Sequence, residues 1–366
     1  MRNCRKLLVE ERGATAIVVV SSLVMIFAFA VIAIDMSLIQ LAKCQLQNAA
    51  DAAAIAGAIA MAEAVGDQAA GTAGAITFAG YNTAVQDTEK PVVISAADVT
   101  FPEANRIRVR THRTEATGDP VSLYFLKVLD PVVSNLGNVS AVASASIFPV
   151  SGSDCLKPWC FPDKWDDTNN DSLYDVGEFY DPDITGYKIP DHLGVQIILK
   201  LINSSASPRM GWFYAVNFAP INTGEPVITG ANAYREWIWT CEPYMISIGD
   251  QLQIEPGNMI GPTGQGVRDL IDLDPNAYWD ASTGTVQGSD FPTSPRIIKV
   301  ATFDPSVGTE SDASGRDYLT VVKIVVVFVE SLQGKEVIGR FMRKLTDGEI
   351  CTDCSEGFLY RAVLVE

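Results

Sequence analysis

Twenty-one consecutive residues without a charge, Ala14 to Ile34 (ATAIVVVSSLVMIFAFAVIAI), constrain this chain more than any other feature. About 20 apolar residues in an α-helix match the hydrocarbon core of a bilayer, so the run predicts a membrane-spanning helix. Thr15, Ser21 and Ser22 can turn their hydroxyls back to helix carbonyls and do not interrupt it. Arg2, Arg5, Lys6 and Arg12 precede the run against Glu10 and Glu11. Basic residues on that side predict a cytoplasmic N-terminus and an exported bulk. A cleaved secretory signal is the alternative, with small-residue sites at Ala28-Phe29-Ala30 and Val31-Ile32-Ala33. The apolar run continues past both, which favours a retained anchor, and either outcome exports the remainder. The apolar stretch Val321 to Val329 contains Lys323 and is too short to cross. One span is expected.

Composition narrows the function. The 366 residues carry 27 Lys+Arg against 44 Asp+Glu, a net charge of −17, and 48% of them are hydrophobic. That apolar share excludes a disordered chain. The acid surplus would repel a nucleic-acid backbone, so no nucleic-acid partner is expected. Two histidines leave little material for His-based metal sites or catalysis.

Helix-forming sequence follows the span without a break. Met36 to Gln47 (MSLIQLAKCQLQ) has helical polar and apolar spacing, and Ala49 to Ala64 holds ten alanines in sixteen residues. Alanine is the strongest helix former, and no proline occurs before Pro91. A single helix from about Ala14 to Glu63 would be ~75 Å long. Ala49, Ala53 and Gly57, with Ala50, Ala54 and Ala58, give it a smooth face. That face suits either docking on the chain's own domain or helix–helix association with partner proteins.

Arg12-Gly13-Ala14-Thr15-Ala16-Ile17, the span, Asp35 at its outer end and Gln45-Leu46-Gln47-Asn48-Ala49-Ala50-Asp51-Ala52-Ala53-Ala54 resemble the N-terminal segment of the TadE/TadG-like family of Flp (tight-adherence) pilus-assembly proteins. The resemblance covers about residues 10–60. It implies a single-pass protein of the bacterial inner membrane whose outer part serves pilus assembly, adherence or secretion. The pilin-like members have Glu five residues after a processing glycine, where Val18 stands here. The resemblance is therefore to the TadG-like members.

Beyond the helix the chain reads as α+β with many strands. Val92-Val93-Ile94 and Arg106 to Arg110 are expected strands around a turn at Pro102 to Asn105. Asp119-Pro120 is expected to open a helix through about Leu129, and Val139 to Phe148 a further strand. After about Ser151 the composition shifts to aromatic, Pro and Asp. Strands are expected at Val195 to Leu201, Gly211 to Phe218, Ile297 to Phe303, Thr320 to Glu330, Glu336 to Arg343 and Phe358 to Val365. Helices are expected at Gly230 to Trp239 and over 262–273. The organisation read from this is a basic stub (1–13), a transmembrane helix (14–34), the long helix with a small α+β unit (35–150) and a β-rich exported domain (151–366).

The exported domain holds the clearest candidate site. Asp167, Asn169, Asp171, Asp175 and Glu178 occupy positions 1, 3, 5, 9 and 12 of a twelve-residue loop, and Leu173 at position 7 offers its carbonyl. This is calcium-loop spacing, in which hard oxygens converge and the last Glu closes the site. Eight acids lie between Asp163 and Asp183 with Lys164 the only base, so a cation would relieve their repulsion. Position 6, usually Gly, is Ser172, and no helix pair flanks the loop. A structural calcium in an extracytoplasmic setting is the reading, against a solvated loop of Asx-turns.

Residues 158–187 and Ile254 to Asp280 also resemble the outer region of longer TadG-like proteins, without adding a catalytic role. Thr263 is expected to cap a helix there. The cysteines fit export: Cys4 lies on the inner side, leaving Cys44, Cys155, Cys160, Cys241, Cys351 and Cys354 outside. Cys155–Cys160 and Cys351–Cys354 are the simplest closures in an oxidising compartment, with Cys241 left to Cys44 or free. His112 and His192 have no nucleophile elbow, phosphate loop or HExxH beside them, and no enzyme is expected. A calcium-dependent, adhesin-like surface module and an exported hydrolase working through paired carboxylates are the alternatives to a pilus-assembly component.

Overall fold

The structure is a computed structural model that describes residues 4–84, 90–123, 136–202, 208–311, 315–351, 354 and 357–365, with side chains from Thr15 onward. It is α+β, with a long apolar helix first and strands dominating the rest. The chain forms two compact units, residues 1–147 with 362–366, and residues 148–361.

The first unit is built on α1 (Cys4–Glu63), an unbroken helix of 60 residues. Its apolar part turns outward: Ile17, Phe27 and Phe29 are 69%, 66% and 69% exposed. Ser21 and Ser22 donate to Ile17 O and Val18 O, each at 2.8 Å, which satisfies both hydroxyls inside the helix. Burial begins at Asp35 and continues through Ala42, Leu46, Ala49, Ala50, Ala53, Ala54 and Ala58. A turn at Val65-Gly66, both with positive φ, reverses the chain into α2 (Gln68–Ala79), which the Asp67 carboxylate caps through Ala69 N–H at 2.8 Å.

The Ala-rich face thus packs within its own unit. A Cβ on Gly57 would lie 2.6 Å from Ile107 Cδ1 and 2.8 Å from Gly71 O, so α2 and the sheet already occupy the side on which a partner helix could approach. β1 (Val99–Glu103), β2 (Arg106–Arg113) and β5 (Val139–Pro149) pair in that order within a five-stranded sheet, and β3 (Val121–Ser122) pairs β4 (Leu136–Gly137) separately. In β2, Ile107, Val109, Thr111 and Arg113 face inward, and Thr111 Oγ1 donates to Leu46 O of α1 at 2.8 Å.

Two expectations fail in this unit. No strand forms at Val92 to Ile94. Proline at 91 lacks the N–H that a ladder needs, and only an isolated bridge, Thr83 to Pro91, is made. The helix expected from Asp119 starts as strand β3, with Asp119 paired to Arg113 at 3.4 Å; residues 124–129 of that expectation lie outside the described residues.

The second unit is strand-rich. It begins with β6 (Gly152–Ser153), β7 (Leu156–Pro162), β8 (Gln196–Leu201) and β9 (Trp212–Ala215). Helix α3 (Ala231–Trp239), β10 (Ile246–Ser247), β11 (Gln251–Gln253), α4 (Ile260–Leu273), β12 (Tyr278–Asp280) and β13 (Thr285–Gln287) follow. The last strands are β14 (Ile297–Phe303), β15 (Glu310–Ser311), β16 (Asp317–Gln333), β17 (Glu336–Met342), β18 (Lys344–Leu345) and β19 (Leu359–Val365), whose end belongs to the first unit.

Six of these strands form a closed ring. β16 pairs β14, β14 pairs β7 in parallel, β7 pairs β9, β9 pairs β8 in parallel, β8 pairs β17, and β17 returns to β16. Closure removes the free edges that these strands would otherwise present. β7 is buried at every residue, because the barrel core covers one face and helices and loops the other. Trp159 on β7 stacks against Phe213 at 4.9 Å, and its Nε1 donates to Tyr234 Oη of α3. That oxygen meets Thr263 Oγ1 of α4 at 2.8 Å. Thr263 is therefore buried in the first turn of α4 rather than at its N-cap, which is Met259.

Candidate functional site

The chain leaves the barrel at Pro162 and enters the acidic loop through Asp163, which has no exposed surface. Asp163 Oδ1 accepts from Tyr187 N–H and Lys164 N–H, and Oδ2 meets Lys323 Nζ of β16 at 3.2 Å and accepts from Tyr180 Oη. Burial pushes the Asp163 carboxyl up, and Lys323 opposes it. Lys323 Nζ also donates to Pro182 O and Tyr187 O, so all three ammonium hydrogens have acceptors. A Cβ on Gly186 would overlap Asp163 Oδ2 and Lys323 Nζ. Both ends of the 163–187 segment are thereby fastened to the barrel wall.

Within it, the twelve residues 167–178 are closed at their base by an antiparallel bridge between Asp166 and Phe179, the residues immediately outside. Ser172, at the sixth position, has φ +62°, the left-handed conformation that a glycine normally supplies there. Its N–H donates to Asp167 Oδ2 at 2.9 Å. Asn169 Oδ1 accepts from Asp171 N–H, and Asp171 Oδ1 from Leu173 N–H. Glu178 reaches back across the loop, taking Thr168 N–H on Oε1 and Asp175 N–H on Oε2, both at 3.1 Å. Asn169 Nδ2 donates to Asp175 Oδ2 at 3.0 Å. A second bridge, Leu173 to Arg209, and the edge-to-face contact of Trp165 with Tyr174 hold the far side.

The six candidate ligands therefore share one closed loop, in which Asp167, Asn169, Asp171 and Glu178 accept from backbone N–H groups and Asp175 accepts from the Asn169 amide. Asp167 Oδ1 is a buried oxygen with no hydrogen-bond partner. Among the described residues no three His, Cys, Asp or Glu side chains gather as a preformed metal cluster. The loop is held in shape by these Asx-type side-chain to backbone bonds.

The cysteines pair differently from the simplest expectation. Cys155 bonds Cys241, 86 residues away, and Cys351 bonds Cys354. The Cys155–Cys160 closure does not form. Cys160 lies on extended β7, whose rise of about 3.3 Å per residue carries it out of reach, and its thiol is buried in the core. Burial pushes that thiol's pKa well up, away from reactivity. Cys44 is an exposed free thiol on α1.

Each histidine has structural partners. His112 Nε2 meets Asp98 Oδ1 at 2.9 Å. Burial acts to raise the Asp98 carboxyl, but hydrogen bonds from Ser95 together with His112 outweigh it and lower its pKa. His192 packs on Tyr187 and Phe341, and burial lowers its pKa. Its Nδ1 contacts the Lys188 backbone and its Nε2 lies 3.3 Å from Lys164 Nζ. Sequence reasoning missed α2 and the barrel closure. The Asp67 cap before an Ala-rich stretch was a signal for the first.

Residues 13–62 match the family model described as Putative Flp pilus-assembly TadE/G-like. No curated protein and no solved structure matches the chain significantly. The matched segment covers the exposed apolar part of α1 and its buried face through Ala62. Thr15–Glu63 is, among the described residues, the one helix long and apolar enough to cross a membrane.

Proposed function

We propose that a chain beginning with this TadE/G-like segment is a membrane-anchored structural component of a bacterial Flp/Tad pilus-assembly, adherence or secretion system. On this reading the N-terminus is cytoplasmic, residues 14–34 span the inner membrane once, and the remainder acts outside the cytoplasm. The observation that carries the reading is the outward-facing apolar surface of α1 inside the matched segment. In water that surface would remain exposed at a cost of roughly 25 cal/mol per Å2, and lipid removes the cost. Alkaline phosphatase and green fluorescent protein reporters fused after Arg12 and after Ala64 test it. The expected result is cytoplasmic signal at Arg12 and extracytoplasmic signal at Ala64; cytoplasmic signal at both refutes the topology.

Calcium is the finer part of the proposal. The loop offers Asp167, Asn169, Asp171, Asp175 and Glu178 with the Leu173 carbonyl, and the orphaned Asp167 Oδ1 supports the fit. Bound calcium would neutralise the loop's carboxylates and hold the 163–187 segment; no reaction step is assigned to it. Extracellular calcium modules bind at roughly 10⁻⁴–10⁻³ M, so ~10 mM calcium would add about 1–3 kcal/mol of stability. The full chain in neutral detergent should melt higher in calcium than in chelator, and Glu178→Gln should abolish that difference. Identical melting of the wild type in both conditions refutes the site.

A further inference from the structure

Between the end of β8, the β16–β17 turn and the start of α4 lies a cavity of about 250 Å3. Lys200, Arg268 and Lys335 line it, and no acidic side chain does. In a chain with 44 acids against 27 bases, that is the reverse of what composition supplies. Lys200 is already spent on Glu336 at 3.3 Å. Arg268 and Lys335 have no ion-pair partner among the described residues, which leaves two positive charges facing the cavity. The Arg268 guanidinium lies over bare backbone: a Cβ on Gly264 would be 3.8 Å from both Nη1 and Nη2, and one on Gly261 would meet nothing within 4 Å. Asn258 already accepts from Ile260 N–H at the helix start, so the basic side chains supply the charge. Leu201, Ile260 and Leu332 form the apolar wall.

We propose that this cavity binds a phosphate monoester, its phosphoryl group between Arg268 and Lys335 and the adjoining carbon body against the apolar wall. A phosphomonoester carries about −1.5 to −2 at neutral pH, which matches the two uncommitted cations. Guanidinium offers paired donors to phosphate oxygens, and lysine a point charge. The volume falls below the usual range for drug-sized ligands, so the cavity suits a small ester or the end of a lipid headgroup.

The test is isothermal titration of the full chain in neutral detergent micelles with inorganic phosphate, phenyl phosphate and, in mixed micelles, phosphatidic acid. Saturable one-to-one binding is expected, tighter for phenyl phosphate than for inorganic phosphate. Arg268→Gln and Lys335→Gln should each weaken it about tenfold or more without shifting melting in ligand-free buffer. Binding of phenyl phosphate assigns a small ester, and binding of phosphatidic acid alone assigns a headgroup. Absence of saturable binding to all three probes overturns the proposal, as does affinity unchanged in both variants. Lys335 lies in an exposed turn, so Lys335→Gln decides the matter if Arg268→Gln fails to fold.

Discussion

Lys157 and Lys299 are buried beside the corner that the Cys155–Cys241 disulfide closes, and Lys344 is partly buried nearby. Lys157 Nζ donates to Thr240 O at 2.6 Å, while Lys299 Nζ reaches Ser153 Oγ and Asp154 Oδ1. Burial, then repulsion from Lys344 and Lys299, brings the Lys157 pKa down to about 7, with Glu242 opposing. Burial followed by Lys299 brings Lys344 down to about 8. The ordinary lysine value in the unfolded chain is 10.5. Between pH 7 and about 10 the unfolded chain therefore binds more protons than the folded one, and stability rises with pH across that window. Thermal melting from pH 7 to 9 should show the rise in the wild type and a flatter profile in Lys157→Met. Equal slopes would show that these amines do not govern it. Nothing in the local sequence Cys155-Leu156-Lys157 announces such a group, because its burial comes from strands distant in the chain.

At the scale of elements, α1 was legible from its residues and its surroundings were not. Absence of proline, ten alanines and an uncharged run dictate a continuous helix. Small residues at Ala49, Ala53 and Gly57 could have met a partner helix, and which helix meets them depends on the turn at Val65-Gly66 that folds α2 back. The close approach at Gly57 is specific: a larger side chain there would displace Ile107 and the Gly71 carbonyl. Gly57→Leu should destabilise the first unit by about 1–3 kcal/mol or more through overpacking, read as lower melting in detergent with the membrane insertion unchanged. Retained stability would place α2 further from α1 than the packing implies. The acidic loop was legible in its spacing, since side chains two residues apart in a turn bond each other's backbone. Its fastening by Asp163 and Lys323 was not, because those residues are 160 positions apart.

For the whole molecule, the cysteines bear on the proposed export and on the fold together. Disulfides persist in oxidising compartments, which fits the export proposed for this unit, and the Cys155–Cys241 bond joins the approach to β7 with the end of α3. Cys155–Cys241 closes a long segment containing β7 to α3, so its loss should cost about 2–4 kcal/mol, measured as lower melting of Cys241→Ser. Maleimide labelling of the native, oxidised chain should modify Cys44 readily and Cys160 only after denaturation. Rapid native labelling of Cys160 would mean that the barrel core is open.

The sequence by itself determined the long uncharged run, the continuous helix, the family likeness of the first segment and the order of acids in the loop. All are local: each depends on residues within a few turns of one another, where periodicity and spacing carry the information. Only the tertiary structure decided the closed barrel, the Cys155–Cys241 bond, the burial of the lysine cluster and the basic cavity beside α4. Those depend on which distant strands pair, and strand pairing is fixed by how the whole apolar surface is buried rather than by any one segment.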